Sequence, residues 1–350
     1  MSADAAADTN SPGPAVSVIL PTYDRADFLP DAFAAIAGQT FRDWELIIVD
    51  DGSTDATPQV VEDFAAQSDR PVVSLRQDNS GAYAARAHGL RAARGGRIAF
   101  YDSDDVWLPD HLATLGGALN AHPDVGWAFS TSLHVVGSPL AVFDIPGERP
   151  VPEPLRPFAV PSGGGHRLDG AGLAATLILH DVNPGLQFSL IRREVFDQAR
   201  LRPDLRNGGD RVFLAAAARA GVGLMHVAAT TGLYRLHGNH SSLVEGTGGR
   251  VTAEKTARVY ESLTTGFRDL LNEGGWTAEE RAALRERLGN DLFWGLGYNG
   301  YWSLGRHAEA LQVFREAVAL RPRHLPFRKT LLACRIRGLL GLAPPREPVA

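Results

Sequence analysis

The stretches VSVILPTYDR (residues 16–25) and ELIIVDDGSTD (residues 45–55) each run from an apolar, β-branched segment into a polar turn carrying aspartate. The first is read as a strand, Val16 to Leu20, ending at Pro21 and followed by a helix from about Asp27 to Gly38. In the second, Glu45 to Val49 is a buried strand, Asp50 to Asp55 a turn, and Ala56 to Ala66 a helix with Pro58 in its permissive first turn. Working outward, Pro71 to Leu75 is a third strand and Ala82 to Arg94 a helix. That helix stops at Gly95 and Gly96, and Arg97 to Tyr101 returns as a fourth strand. Strands alternating with helices predict an α/β chain with a mostly parallel sheet.

Ligands of such sheets bind beyond the carboxyl ends of the strands. Acids stand at two of those ends, Asp50 and Asp51 after the second strand, then Asp102, Asp104 and Asp105 after the fourth. Bunched carboxylates repel unless a cation or donors neutralise them, and hard oxygen ligands suit Mg²⁺ or Mn²⁺ bound to a diphosphate. The competing reading of FYDSDD is a polar turn in which Asp105 caps the helix near Pro109. In the other acidic turn, Gly52 and Ser53 make a tight bend and Thr54 or Asp55 caps the next helix. Asp51 there is placed to accept the N–H of a nucleobase edge or ribose hydroxyls.

The 350 residues suffice for one large domain and a smaller unit, since single cores rarely grow beyond about 250 to 300 residues. A hydrophobic fraction of 44% and a charged fraction of 21% are those of a globular protein. The net charge of -5 offers no basic face for a polynucleotide, so no nucleic-acid partner is expected. Cys334, the lone cysteine, excludes an intrachain disulfide and fits a reducing compartment, so the expected location is cytoplasmic. Residues 1–14 read as a disordered lead without signal-peptide pattern, and no apolar run of about 18 residues predicts a membrane span.

From Gly137 to Gly172 the chain turns Pro- and Gly-rich, which predicts a long loop near the site. Gln187 to Ile191 is a strand, Asp210 to Ala220 a helix, and Val222 to Ala228 and Thr231 to Leu236 are strands. Beyond Gly249 the pattern is helical, with a capping box at Thr277 and Glu280 and amphipathic segments at Leu292 to Leu304 and His307 to Leu320. LGRHAEALQVFREAVALRP resembles half of a tetratricopeptide repeat, and a single helical hairpin packed on the main domain is preferred over a partner-binding array.

The motifs VSVILPTYDR, QTFRDWELIIVDDGSTD, NSGAYAARAHGL and FYDSDD, in this order and spacing, resemble family 2 glycosyltransferases of the GT-A fold over roughly Val16 to Ser242. The resemblance implies a Rossmann-like mixed sheet with flanking helices over 15–245, and the helical pattern beyond it makes 246–345 a C-terminal appendage. It implies that Pro21, Thr22, Tyr23 and Asp51 line a nucleoside pocket, that Arg86 meets the base or diphosphate, and that Asp102, Ser103 and Asp104 form the DxD turn. Asp104 would be the principal metal ligand, with Asp102 and His237 beside it, for Mn²⁺ or Mg²⁺. Arg235 and His237, in YRLHGNHSS, match a loop that closes over the diphosphate; Asn239 and His240 are weaker candidates. NGGDRVFLAAAARAG matches the segment whose acid opens a helix near the acceptor, which makes Asp210 the catalytic base. Gly209 departs from the Glu that many members carry there.

The implied activity is hexosyltransferase-like: inverting, non-processive transfer from a nucleotide-sugar, UDP preferred over GDP or dTDP, to a saccharide, lipid-linked or other hydroxyl acceptor in cell-surface polysaccharide or glycoconjugate assembly. A sugar-phosphate nucleotidyltransferase is the alternative, although PTYDRADF is not the Gly-rich basic phosphate loop it would need; a non-catalytic nucleotide-sugar-binding scaffold is the other. The C-terminal basic segment with Arg321, Arg323, Arg328, Lys329, Arg335 and Arg337 is suited either to packing on the domain or to peripheral contact with an anionic membrane at its inner face.

Overall fold

The computed structural model describes residues 13–136, 148–180, 182, 185–236 and 252–339. Strands β1 (Val16–Thr22) and β2 (Trp44–Asp50) are buried along their whole length, as strands covered on both faces must be. They pair in parallel with each other, β2 with β3 (Val72–Arg76) and β1 with β4 (Arg97–Phe100). Helices α1 (Leu29–Ala37), α2 (Thr57–Gln67) and α3 (Ala82–Ala92) are the crossovers.

After the short β5 (Val106–Trp107) and α4 (His111–Ala121), the chain continues through β6 (Val125–Ser130) and β7 (Leu133–Val136). A hairpin, β8 (Ala159–Ser162) and β9 (Gly165–Leu168), then leads to α5 (Leu173–Leu179), β10 (Ser189–Arg192), α6 (Val195–Gln198), α7 (Gly209–Arg219), β11 (Gly223–Val227) and β12 (Gly232–Leu236). Among the described residues the main sheet runs β3-β2-β1-β4-β10-β6-β11-β9-β8. Its β3-to-β4 half is parallel; β10 is antiparallel to both neighbours, which makes the sheet mixed.

One expectation is corrected. The segment read as a long loop over 137–172 holds the β8–β9 hairpin, which pairs onto β11 at the edge farthest from β3. Glycines at 163 and 164, both with positive φ, turn this hairpin, so the glycines that suggested a loop are those of a tight reversal. Residues 137–147 lie outside the described residues. The two strands expected after α7 are present and part company: β11 stays in the main sheet, and β12 joins β5 and β7 in a second sheet.

Side chains alternate across β1 and β2 with the two-residue period of a strand. Val18, Leu20, Leu46 and Ile48 pack in a core with Leu29 and Phe33 of α1 and Leu112 and Leu115 of α4. Ile19, Ile47 and Val49 face the other way, into a cluster that continues through Phe213 of α7 to the C-terminal helices. These are α8 (Ala253–Glu273), α9 (Ala278–Asn290), α10 (His307–Leu320) and α11 (Leu325–Leu339), with a π-helical run, Asp291–Trp302, extending α9. The Thr277–Glu280 capping box opens α9.

Gly295 and Gly297 let this run approach its neighbours, since a Cβ there would lie 2.4 Å from the Tyr260 ring and 2.5 Å from that of Phe314. Phe293 stacks on Phe314 and Phe327, so the helical region shares one continuous core with the sheet. Among the described residues no helix is long and apolar enough to cross a membrane.

Glu45 joins the parallel strands to the end of α3. Fully buried, it accepts from Ser17 Oγ (2.6 Å), the Arg94 backbone N–H (2.7 Å) and Arg94 Nε (2.9 Å), while Gly95 N–H donates to Ser17 Oγ (2.7 Å). Removing it strands buried donors in an apolar strand layer. Glu45→Ala is therefore expected to cost about 3 kcal/mol of unfolding free energy, seen as a lower urea midpoint at unchanged slope.

Candidate active site

At the carboxyl ends of β1, β2 and β4 lies a cleft of about 890 Å³, lined by Pro21, Thr22, Tyr23, Asp51, Arg86, Asp102, Ser103 and Asp104. These residues, expected from the sequence, are brought together because parallel strands deliver their following turns to the same edge of the sheet.

Asp51 is buried, and its carboxylate organises the turn that leads into α3. Oδ1 accepts from Ser80 N–H and Gln77 Nε2, each at 2.8 Å, and Oδ2 accepts from Gly81 N–H at 2.8 Å. Gly52 turns with φ +84°, and a Cβ there would lie 3.0 Å from the Asn79 nitrogen, so only glycine lets the two turns touch. Asp50 is occupied structurally, by Ser53 N–H and by Arg76.

The β1 turn is tied to the same place by Asp24, which the sequence reading left aside. Asp24 holds φ +49°, rare for a residue with a Cβ, and its Oδ1 accepts from Thr54 N–H at 2.7 Å, while its own N–H donates to Ser53 Oγ. Tyr23 next to it is 43% exposed and offers its ring to the cleft. Thr22 Oγ1 is buried against the cleft without a hydrogen-bond partner among the described residues. The cap expected of Thr54 or Asp55 is met in part, for α2 begins after Ala56 and Asp55 Oδ1 accepts from Thr57 N–H.

The turn after β4 holds three acids in three environments. Asp102 pairs with Arg86, Oδ1 to Nη2 at 2.5 Å. Burial pushes its carboxyl above the usual range; Arg86 opposes this and the neighbouring Asp104 adds to it. Asp104 lies 3.9 Å from Arg25 Nη2, a cation the sequence reading did not single out. Asp105 points inward. It caps no helix, since α4 starts after Asp110; its Oδ1 accepts from Arg235 N–H. Burial, with the charges of Asp104 and Asp102, holds the Asp105 carboxyl well above the carboxylate range.

Asp210 opens α7 and does not line the cleft, but stands one aromatic ring behind it. The Tyr83 hydroxyl donates to Asp210 Oδ1 at 2.8 Å and accepts from the Asp210 backbone N–H at 3.1 Å. Burial, then the charge of Asp210, raises the Tyr83 phenol well above its ordinary value, so it remains a donor. The Arg86 guanidinium lies over the same ring, 4.9 Å from its centre. Tyr83 and Arg86 thus join Asp210 to Asp102 through neighbours on one helix face, three residues apart. Their spacing was the signal in the sequence that could have identified Tyr83. A Cβ on Gly209 would lie 2.8 Å from the Tyr83 ring, so the departure from Glu at 209 is the space this ring occupies.

Arg235 is placed elsewhere. Its guanidinium donates to Asp31 Oδ2 at 3.0 Å and lies over the Phe28 ring, and it is not among the residues lining the cleft. His237, Asn239 and His240 fall outside the described residues. None of the described residues of 148–172 reaches the cleft, whose opposite wall is instead made by Asp204, Leu205, Arg206 and Asn207 and by α8 through Lys255, Arg258, Val259, Glu261, Ser262 and Thr265. Ser262 fixes this wall to the segment before α7, accepting from Asn207 N–H at 3.0 Å and donating to Asn207 O at 2.8 Å. An amphipathic helix carries no mark of which cleft it borders, so this wall was not legible beforehand.

Among the described residues no three His, Cys, Asp or Glu side chains gather as a metal cage. Asp102 and Asp104, two residues apart in the turn after β4, both line the cleft with hard oxygen ligands, a pair that fits Mg²⁺ or Mn²⁺ when a ligand's phosphates complete the shell.

The family model described as "Glycosyl transferase family 2" matches residues 17–141. The putative teichuronic acid biosynthesis glycosyltransferase TuaG of Bacillus subtilis is 41% identical over 99 residues, 28% of this chain and 39% of that protein. The putative glycosyltransferase EpsE of the same organism is 35% identical over 149 residues, 41% of this chain and 51% of its own length. The matches thus span about half or less of these relatives. Among solved structures, residues 1–349 of S. aureus TarS in complex with UDP-GlcNAc superpose with a TM-score of 0.63 at 20% identity, covering 92% of this chain and 87% of that one. The mannosyltransferase PcManGT of Pyrobaculum calidifontis, solved with GDP-Man and Mn²⁺, gives 0.55 at 18% identity, over 94% of this chain and 88% of that one. The mixed sheet with its flanking helices is accordingly of the GT-A type, and the segment that carries the acidic strand ends, residues 17–141, matches glycosyltransferase family 2.

Proposed function

We propose that the chain transfers a sugar from a nucleotide-sugar, a UDP-sugar in the first instance, to a hydroxyl acceptor with inversion at the anomeric carbon. The assembly of cell-surface polysaccharide or glycoconjugate is its setting, in line with the biosynthetic role in the name of TuaG. The observation that carries this reading is the gathering of Asp51, Asp102 and Asp104 around one cleft, with Asp210 held behind it by Tyr83.

Thr22, Tyr23 and Asp51 bind the nucleoside. Asp51 spends three hydrogen bonds on Gln77, Ser80 and Gly81, so its first contribution is to hold the pocket's rim in place. Asp104 and Asp102 would hold Mn²⁺ or Mg²⁺, which withdraws charge from the leaving diphosphate. Arg86, kept in position by the Tyr83 ring and Asp102, adds a fixed positive charge on the same side. Asp210 takes the proton of the acceptor hydroxyl as its oxygen bonds to the anomeric carbon and the bond to the nucleoside diphosphate breaks. Among the described residues the other carboxylates on the cleft wall, Asp204 and Glu261, are engaged by Arg202 and by Tyr301, which leaves Asp210 as the base and supports a single displacement.

Calorimetry with UDP is expected to show binding that weakens when EDTA replaces Mn²⁺ and is lost in Asp104→Ala; no nucleotide binding under any condition would end this reading. Asp210→Asn is expected to lower transfer by about a thousandfold while UDP affinity stays within twofold, about the weight of a general base. Unchanged turnover would remove Asp210 from the mechanism.

A cytoplasmic enzyme resting on the inner face of the membrane is the reading that α11 supports. Leu325, Leu332 and Ile336 are 62%, 58% and 49% exposed, and Arg323, Arg328 and Arg335 stand exposed along the same segment. Exposed apolar side chains flanked by arginines match an anionic lipid surface. Vesicles containing phosphatidylglycerol are expected to co-sediment the protein where phosphatidylcholine vesicles do not, and Leu332→Ser with Ile336→Ser to abolish the difference; equal recovery with both lipids would discard the membrane role.

A further inference from the structure

The two walls of the cleft differ in electrical character. Toward the strand ends, cations and acids answer one another: Arg86 pairs with Asp102, and Arg25 lies 3.9 Å from Asp104. The opposite wall presents Lys255 and Arg258, one turn apart on α8, with Arg206 on the loop before α7. The two acids lining that side are engaged from elsewhere: Asp204 pairs with Arg202 at 2.6 Å, and Glu261 accepts from the Tyr301 hydroxyl at 2.7 Å and lies 3.6 Å from Arg306.

Among the described residues no carboxylate lies within ion-pair distance of Arg206, Lys255 or Arg258; the exposed Glu254 in the first turn of α8 interacts with Arg258 only beyond that distance, and Arg206 donates to the neutral Asn79 side chain at 3.3 Å. Burial, then the charge of Arg258, pushes the Lys255 ammonium below its ordinary value. Like charges packed on one wall of a cleft are stabilised by an anion from outside.

We infer that Arg206, Lys255 and Arg258 bind a negatively charged group of the acceptor, a phosphodiester or carboxylate on the saccharide that receives the sugar. The inference rests on the transferase reading above. The acceptor is favoured over the donor's diphosphate because this wall belongs to the segment that leads to Asp210: Arg206 lies four residues before it, and Ser262 of α8 is bonded in both directions to Asn207. On the transferase reading the donor's diphosphate would be met on the other wall, beside Arg86 and the turn of Asp102 and Asp104.

The test uses the full chain saturated with UDP and Mn²⁺ and three labelled probes of similar length, a glycerol phosphate oligomer, a trigalacturonate and a neutral maltotriose, read by fluorescence anisotropy. One or both anionic probes should bind, more weakly as salt rises, and maltotriose should not. Lys255→Gln and Arg258→Gln should each weaken anionic binding by about tenfold, as expected for a lost charge-assisted hydrogen bond, with UDP affinity unchanged. A parallel loss of UDP affinity in both variants would assign the wall to the donor diphosphate and overturn the inference. Indifference of the anionic probes to both substitutions, or equal binding of maltotriose, would overturn it as well. Absence of any UDP binding by the unsubstituted chain would instead bring down the transferase reading and this inference with it.

Discussion

The carboxylate of Asp51, with backbone amides of Ser80 and Gly81 on its oxygens, is the constraint on which the site depends. It joins the end of β2 to the start of α3 and so determines where α3 begins. Everything α3 presents inherits that placement: Tyr83 toward α7, Arg86 toward the turn after β4. A buried carboxylate met by amides and an amide side chain is a strong anchor, because charged hydrogen bonds are worth about twice their neutral counterparts and leaving any of them unmade is expensive.

From there a relay of contacts runs behind the cleft. Arg86 is held between Asp102 and the face of the Tyr83 ring, and the phenol of that ring both donates to Asp210 and receives from its backbone. One aromatic side chain thereby sets the distance between the acids of the strand end and the acid that opens α7. Gly209 belongs to the same device, since any side chain there would displace the ring.

The C-terminal helices are part of this architecture. Phe267, Phe293 and Phe314 continue the core that begins at Ile19 and Ile47, and α8 closes the cleft opposite the strand ends. Val212 and Leu205 pack against Gly266 where α8 crosses the segment around α7. The position of the loop holding Arg206 and Asn207 therefore depends on a helix about fifty residues away in sequence.

By itself the amino-acid sequence determined the alternation of strands and helices through Phe100, the acidic turns at the strand ends, and the membership of Asp51, Asp102 and Asp104 in one cleft. Those features are local: hydrophobic period, glycine at a turn and the parallel delivery of strand ends can be read from neighbours along the chain. Tertiary structure alone decided the partners that come from far away. It turned a presumed loop into the edge hairpin β8–β9, sent β12 into a second sheet, gave Arg235 to Asp31, buried Asp105, and brought Tyr83 to Asp210 and α8 to the rim. Such pairings depend on which faces meet after the core closes, and a side chain's spacing along its own helix or strand does not specify the opposing surface.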